Sequence, residues 1–247
     1  MRRQTLRLRS GISRLAVFGA LLVCATAGSV VALADGGTPG DISPTVLQPQ
    51  EPLLQYRAFR RMHAWSPRVD KEAWLDAWTE LRNGRFRYQV VAERGAGSVR
   101  DRVLHKILEH EQQFVAEGRI DDADFTRENY EFSDGGTAPD GSRYLLLKPR
   151  RKDVLLVDGR MVLSPDGREL LRVEGRLAKN PSFWTTRVDV VRRYATLDGV
   201  RVPIAVETTA KIRFVGLSRL QVDYQYESVN GRPLSIAARR TLADAGR

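Results

Sequence analysis

The sequence predicts an α+β fold in which a large curved antiparallel sheet, an incomplete β-barrel, is covered on its concave face by N-terminal helices. Three observations predict this class. The second half of the chain alternates apolar and polar residues with a period of two, the pattern of half-buried strands. Dipeptides typical of tight hairpin turns separate these runs. The first third carries apolar residues at helical spacing, which supplies the covering layer.

Residues 1–34 predict an export signal. Five arginines and no acid flank an apolar run from Leu15 to Leu33, which ends in Ala32-Leu33-Ala34. This order is typical of a secretory signal, so we expect cleavage after Ala34 and a periplasmic protein. Three alternatives stay open: an uncleaved anchor, because a run of this length can span a bilayer, a lipoprotein signal ending at Cys24, and export by the twin-arginine route.

Charge and cysteine content narrow the classes of function. The chain has 40 basic residues against 30 acidic ones, a formal charge of +10. Five of the arginines belong to the predicted signal, and the remaining 35 basic and 30 acidic residues leave +5. This excess does not predict a nucleic-acid-binding protein. Cys24 is the single cysteine, so the exported chain has no disulfide and no thiolate ligand.

The exported chain predicts a flexible, proline-rich leader over residues 35–52, one domain over 53–240 and a tail over 241–247. Two short helices open the domain, the first ended by Pro67 and the second running from Asp70 to Gly84. Their apolar residues are Leu54, Ala58, Met62 and Trp65 in the first, and Trp74, Leu75, Trp78 and Leu81 in the second.

A strand and a long helix follow the two short helices. Residues 86–92 alternate and predict the strand. The spacing of Ser98 and Asp101 predicts a capping box at the start of the long helix, and Gly118 is placed to end it.

Residues from Phe125 onward predict successive hairpins. The turn dipeptides are Asp158-Gly159, Asp166-Gly167, Asp198-Gly199 and Asn230-Gly231. One face of the resulting sheet is apolar and predicts a ligand cavity, lined by Val188, Val190, Ile204, Val206, Ile212, Phe214, Leu220, Val222 and Tyr224. Trp74, Trp78 and Ile107 are the candidate residues of a helical lid over this cavity. An outer-membrane barrel is disfavoured because the first third has a helical pattern.

The sequence assigns no catalytic residue. It contains no Gly-x-Ser-x-Gly elbow and no phosphate loop. His105 and Glu109 stand four apart on one helical face, where a metal or hydrolase site is one interpretation and a solvated helix face is the favoured one. We expect no enzyme, no metal and no cofactor.

A basic cluster of Lys148, Arg150, Arg151 and Lys152 is the densest positive patch of the exported chain. Such a patch binds anionic headgroups or an acidic partner. The other interpretation is a charged connection that protects a sheet end from aggregation.

Four segments of the second half resemble the C-terminal half of bacterial periplasmic proteins of the LolA/LolB/RseB-like superfamily. They are Gly175 to Trp184, Val188 to Tyr194, Gly199 to Pro203 and Tyr224-Gln225-Tyr226. The resemblance covers residues 143–233. It implies an incomplete antiparallel barrel with a helical lid over an apolar cavity for acyl chains, and a chaperone role in lipoprotein transport during outer-membrane biogenesis. No binding residue of the family is matched.

We therefore expect a monomeric, non-enzymatic periplasmic carrier of lipid or lipoprotein acyl chains. An inner- or outer-membrane protein is the expected protein partner, and nucleic acid is not a partner. The alternative is an envelope protein-interaction or sensor domain without bound lipid, in which the helices plug the cavity permanently.

Overall fold

A computed structural model describes residues 51–235 of the chain, apart from the side chains of Ile120 and Asp121. The predicted signal over 1–34 with Cys24, all but the end of the predicted leader, and the tail over 241–247 lie outside the described residues. Within the described part of the chain, no helix is long and apolar enough to cross a membrane.

Residues 51–235 form one open antiparallel sheet of 11 strands. The order is β3-β2-β1-β10-β9-β8-β7-β6-β5-β4, and β11 pairs with β10. β3 and β4 are the two edges, so the sheet is curved but not closed, as the sequence predicts. The strands are β1 (Tyr56–Ser66), β2 (Lys71–Arg82), β3 (Arg85–Gly95), β4 (Tyr130–Thr137), β5 (Arg143–Pro149), β6 (Val157–Leu163), β7 (Leu170–Leu177), β8 (Thr185–Leu197), β9 (Val200–Ile212), β10 (Gly216–Val229) and β11 (Arg232–Pro233).

One long helical segment follows β3. It consists of α1 (Gly97–Val99), a π-helical turn (Arg100–Leu104) and α2 (His105–Ala116). Gly118 follows at φ +67°, as predicted for the helix end. The predicted capping box is absent, because the helix begins at Gly97 after Ala96 and Ser98 therefore lies inside its first turn. The Ser98 hydroxyl accepts a hydrogen bond from Lys71 Nζ at 3.2 Å. Short 3-10 turns lie at Pro67–Val69 and Ile120–Ala123.

The prediction of two short helices before β3 is wrong, since these residues form β1 and β2. A spacing of four, such as that of Ala58 and Met62, places two residues on one face of a strand as well as of a helix. The inward residues of β2 are Ala73, Leu75, Ala77, Thr79 and Leu81, which alternate strictly with less buried ones. β1 pairs with β10 on one side and β2 on the other, so it is an interior strand of the sheet.

The prediction of a turn at Asp158-Gly159 is also wrong, because these residues lie within β6. Gly159 pairs with Gly175 of β7, and a Cβ on Gly159 would lie 2.2 Å from the carbonyl oxygen of Glu174. The glycine therefore permits a close approach of two strands. The other three dipeptides lie in turns as predicted, and Asn83-Gly84 forms a further turn between β2 and β3.

The helix packs on the inner face of the sheet. Its residues Val103, Leu104, Ile107 and Leu108 are buried in one continuous apolar core with the inward residues of the strands. The helix runs between the two ends of the sheet. The turn end contains Asn83-Gly84, Asp198-Gly199 and Asn230-Gly231. The aromatic end, defined by Phe183, Trp184, Phe214 and Leu217, lies where β9 stops and β8 and β10 start, with Thr185 and Gly216 both paired to Ile212.

Candidate binding site

Eight of the nine predicted cavity residues are buried in the core. The structure brings together Val188, Val190, Ile204, Val206, Ile212, Leu220, Val222 and Tyr224. The register explains this, since Val222 lies opposite Val206 and next to Met62, all on one face of neighbouring strands. These residues pack against one another and form part of the same core as the helix.

The ninth predicted cavity residue, Phe214, lies outside, and its assignment to the cavity is wrong. It is 80% exposed and has a left-handed backbone with φ +67°. β9 ends at Ile212, so Phe214 belongs to the turn before β10 rather than to the strand. Alternation in the sequence continues through this turn and does not mark the end of the strand.

An apolar cavity of about 170 Å³ lies at the aromatic end, between the start of the helix and the sheet. Its apolar lining residues are Ala64, Trp65, Val69, Val99, Val103, Ile212 and Val215, of which Trp65 stacks its ring on His63 on the outer face. Ser66, Lys71, Ser98, Ser218 and Arg219 complete the lining. These residues come from β1, the β1–β2 connection, β2, the helix and the β9–β10 hairpin. Sequence analysis missed this site because no local pattern reports that five separated segments meet.

A buried ion pair ties α2 to β1. Arg60 donates from Nη1 to Glu111 Oε2 at 2.5 Å and from Nη2 to Glu111 Oε1 at 2.8 Å, and Arg60 Nη2 also donates to the Tyr56 hydroxyl at 2.7 Å. Both charged side chains are almost fully buried. Gln112 on the next position donates to the Phe86 carbonyl at 3.2 Å, beside the turn end. The last turns of the helix are thus held by polar contacts.

Three buried tyrosines, Tyr56, Tyr224 and Tyr226, lie around this ion pair, and burial changes their pKa values. Burial raises the pKa of Tyr224 to about 12, and burial likewise raises the pKa values of Tyr56 and Tyr226 well above their ordinary range. The Arg60 guanidinium lies 4.8 Å from the Tyr224 ring centre. The tyrosines are therefore neutral hydrogen-bonding groups that complete a polar cluster inside the sheet.

Two of the three predicted lid residues are not part of a lid. Trp74 and Trp78 lie on β2 and face outward, whereas Ile107 is fully buried on the helix. The Trp74 ring stacks on His63 at 4.6 Å between ring centres, and His63 stacks on Trp65 at 4.4 Å. Arg94 lies 4.4 Å above the Trp74 ring. Trp74, His63 and Trp65 therefore form a stacked row on the outer face, and Trp74 and His63 line a groove of about 450 Å³.

The predicted basic patch is largely paired within the described residues. Lys148 Nζ lies 3.1 Å from Asp158 Oδ2, and Arg150 Nη1 lies 3.0 Å from Glu131 Oε1. Arg151 donates to Asn129 Oδ1 at 2.5 Å, and Lys152 is exposed. The patch follows the end of β5, and its role in docking a partner stays a prediction.

His105 and Glu109 contact different residues and do not form a common site. His105 Nε2 lies 2.8 Å from Glu93 Oε2, while Glu109 pairs with Lys106. Over residues 51–235 there is no group of three or more His, Cys, Asp or Glu side chains that could hold a metal ion. The arrangement is that of an exposed helix face with local ion pairs.

The comparisons with known proteins concern the fold. No family model and no curated protein matches the chain. Among solved structures, the chain is similar to a DUF1329 family protein from Desulfovibrio piger, with 14% identity, a TM-score of 0.35, and coverage of 76% of this chain and 90% of that one. It is also similar to a LolA superfamily protein from Nitrosomonas europaea, with 9% identity, a TM-score of 0.34, and coverage of 78% and 91%.

The architecture that the sequence resemblance implies is an incomplete antiparallel barrel with a helical cover. The open 11-stranded sheet with its long helix on the inner face has this architecture. In this sense its fold is LolA-like. The two matches do not extend to ligands or activity.

Proposed function

We propose that the protein is a non-enzymatic binder of lipid acyl chains that receives them at the aromatic end of the sheet, and that it works in the periplasm. The observation that carries this proposal is the apolar cavity between the start of the helix and the sheet. Seven of its twelve lining residues are apolar, and the others are three serines, Lys71 and Arg219. The apolar part suits hydrocarbon. The export signal that the sequence predicts fits a carrier of the periplasm.

The cavity is smaller than a whole acyl chain requires. Its volume of about 170 Å³ compares with roughly 300–1,000 Å³ for sites that enclose a small ligand. A longer chain therefore needs the start of the helix to move away from the sheet. The π-helical turn Arg100–Leu104 lies in this part of the helix, and such turns interrupt the regular hydrogen-bond ladder. The Arg60–Glu111 pair holds the other part in place.

Burial of hydrocarbon supplies the driving force for this movement. Each methylene removed from water contributes about 0.8 kcal/mol, so ten methylenes contribute about 8 kcal/mol. Part of this free energy compensates for the lost contacts of Val99 and Val103 with the sheet. We include lipoprotein acyl chains in the proposed cargo, with delivery to a protein of the inner or outer membrane.

Filling the cavity tests the proposal. The variant Val99→Trp/Val215→Trp places two large rings in the cavity, and we expect it to weaken uptake of a fluorescent fatty acid roughly tenfold or more. Both valines are only partly buried, so the fold has room to adjust. Val91→Trp, on β3 at a side chain that is 56% exposed, is the matched control and leaves uptake unchanged.

The result for the unmodified chain decides between the two functions expected from the sequence. A carrier takes up the fatty acid and retains lipid that native mass spectrometry detects after purification. If neither occurs, the helix is a permanent plug, and an interaction or sensor domain without bound lipid replaces the carrier.

A further inference from the structure

We propose that the aromatic end is a docking surface for a bilayer that contains anionic phospholipids. The surface consists of the apolar side chains Phe183, Trp184, Phe214 and Leu217 and of basic side chains around them. It deepens the proposed function, on which it rests, by naming the surface where acyl chains are exchanged. Its test measures surface association and not uptake, so the two proposals fail separately.

Two phenylalanines make this end unusual. Phe214 is 80% exposed and Phe183 is 73% exposed, more than any other large apolar side chain among residues 51–235. They lie on different connections, yet both contact Trp184, with ring centres 5.9 Å and 5.6 Å apart. The three rings form one contiguous aromatic cluster, and Leu217, which is 51% exposed, lies three residues after Phe214. Single exposed apolar residues need no explanation, but such a cluster does.

The cluster is held in place by its backbone. Arg213 N donates to the Trp184 carbonyl at 2.8 Å and joins the β9–β10 turn to the β7–β8 connection. Ser182 fixes the second connection, since Trp184 N donates to its hydroxyl at 3.2 Å and Thr185 N donates to its carbonyl at 3.1 Å. The rings are therefore presented to solvent by ordered loops, so their exposure does not result from a loose chain.

The exposed Phe214 has a strained backbone conformation. A non-glycine residue at φ +67° is strained, and a bulky one more so than asparagine or glycine. Burial does not account for a phenylalanine here, because the residue is 80% exposed and Trp184 is its one ring-to-ring neighbour among residues 51–235. Strain at an exposed aromatic residue indicates that the side chain acts outside the molecule.

The charges around the cluster favour an anionic partner. Within the described chain, the basic side chains at this end that make no ion pair include Arg68, Lys71, Lys179, Lys211, Arg213 and Arg219. Arg213 lies 4.5 Å above the Phe183 ring, so cation and apolar ring are presented together. The acids at this end include Asp70 in the β1–β2 connection and Asp101 in the π-helical turn, while Glu72 is paired with His63 and Asp189 with Arg187.

Exposed aromatic rings surrounded by lysine and arginine are the composition of surfaces that lie at the boundary of headgroups and acyl chains. The rings enter the boundary region while the cations attract anionic headgroups. The position of the cavity supports a bilayer over a soluble partner, because Ile212 and Val215 of its wall flank Arg213 and Phe214 in the same turn.

Vesicle flotation tests the docking surface. The chain as purified from the periplasmic fraction is mixed with vesicles of phosphatidylcholine alone or with 30% phosphatidylglycerol added, at low and high salt. We expect binding to the anionic vesicles that weakens in high salt. The variant Phe183→Ser/Phe214→Ser lowers the partition coefficient roughly tenfold or more. Lys179→Glu/Arg213→Glu removes the preference for anionic vesicles.

Matched controls separate the surface from general effects of apolarity and charge. Leu54→Ser/Val91→Ser removes two exposed apolar side chains elsewhere, and Arg82→Glu/Arg85→Glu makes the same charge change at the turn end. Both controls bind as the unmodified chain does, and all forms carry the same N-terminus.

Three outcomes overturn the proposal: no binding to anionic vesicles, equal loss in patch and control variants, or capture of an envelope protein through this cluster by a chain that ignores vesicles. Fatty-acid uptake that survives in Phe183→Ser/Phe214→Ser shows that a failure concerns docking alone and not the proposed function.

Discussion

Both ends of the sheet reverse antiparallel strands, but the β9–β10 turn at the aromatic end differs in residue type from the turns at the other end. At the turn end, Asn83, Asp198 and Asn230 have φ values of 52°, 49° and 47°, each followed by glycine. Asparagine, aspartate and glycine adopt this left-handed region at low cost. At the aromatic end Asp70 of the β1–β2 connection has a φ of 47°, but the β9–β10 turn places Phe214 in the same region. One turn of the aromatic end therefore presents a phenylalanine where the turn end has residues that adopt this backbone at low cost.

The helix shows the same asymmetry along its length. Its last turns are tied to β1 and β3 by the Arg60–Glu111 pair and by Gln112, near the turn end. Its first turns contain the π-helical turn and border the apolar cavity. The proposed opening is therefore a pivot, in which the helix moves at the aromatic end and stays anchored at the other.

The largest effect is expected from breaking the anchor. Glu111→Ala leaves the Arg60 guanidinium buried without its counter-charge, which costs about 3–5 kcal/mol in the free energy of unfolding. Urea denaturation measures the loss. Arg60→Met/Glu111→Leu removes both charges and recovers most of the stability. Glu109→Ala, which removes an exposed ion pair on the same helix, is the control and changes little. A small loss for Glu111→Ala would show that the pair is not an anchor.

The next effect is a loss of stability at alkaline pH. Because burial raises the pKa of Tyr224 to about 12 from 10.0, the folded chain holds this proton more tightly than the unfolded chain. The stabilisation is complete below pH 10 and is lost as the pH rises towards 12, with about 2–3 kcal/mol at stake. Urea denaturation at pH 9 and pH 11.5 measures it. Tyr224→Phe reduces the pH dependence, and an unchanged dependence in that variant would contradict the assignment.

The smallest effect tests the difference between the ends directly. Phe214→Asn places at φ +67° a residue that tolerates it, and we expect a gain of about 0.5–1 kcal/mol in the free energy of unfolding. Asn83→Phe makes the reverse exchange at the turn end and loses a similar amount. Thermal denaturation compares the two variants. If neither changes stability, backbone strain does not distinguish the ends.

The strands of the second half were predictable because alternation and turn chemistry agree there. Asp198-Gly199 and Asn230-Gly231 lie in the turns that the dipeptides predict, and Val188, Val206 and Val222 share the predicted inner face. β1 and β2 were not predictable in the same way. Phe59 and Trp65 add apolar side chains to the outer face of β1, so the period of two is hidden.

The site was less accessible to sequence analysis than the fold. Arg60 and Glu111 are 51 positions apart, and no local pattern in the sequence indicates that their side chains pair. The cavity likewise joins Val69, Val99 and Val215, which are far apart in the chain. The dipeptide Asp158-Gly159 is typical of a turn, but Gly159 lies opposite Gly175 on the neighbouring strand β7. Only the register of the folded sheet reveals this pairing.

Hydrogen exchange in the presence and absence of a fatty acid tests the central claim, that the chain admits hydrocarbon at the aromatic end while the turn end stays closed. We expect the fatty acid to slow amide exchange in residues 97–104 and 213–217, where the helix starts and the cavity lies, and to leave residues 83–86, 198–200 and 230–232 unchanged. Unchanged exchange at both ends, or equal slowing at both, would contradict the account.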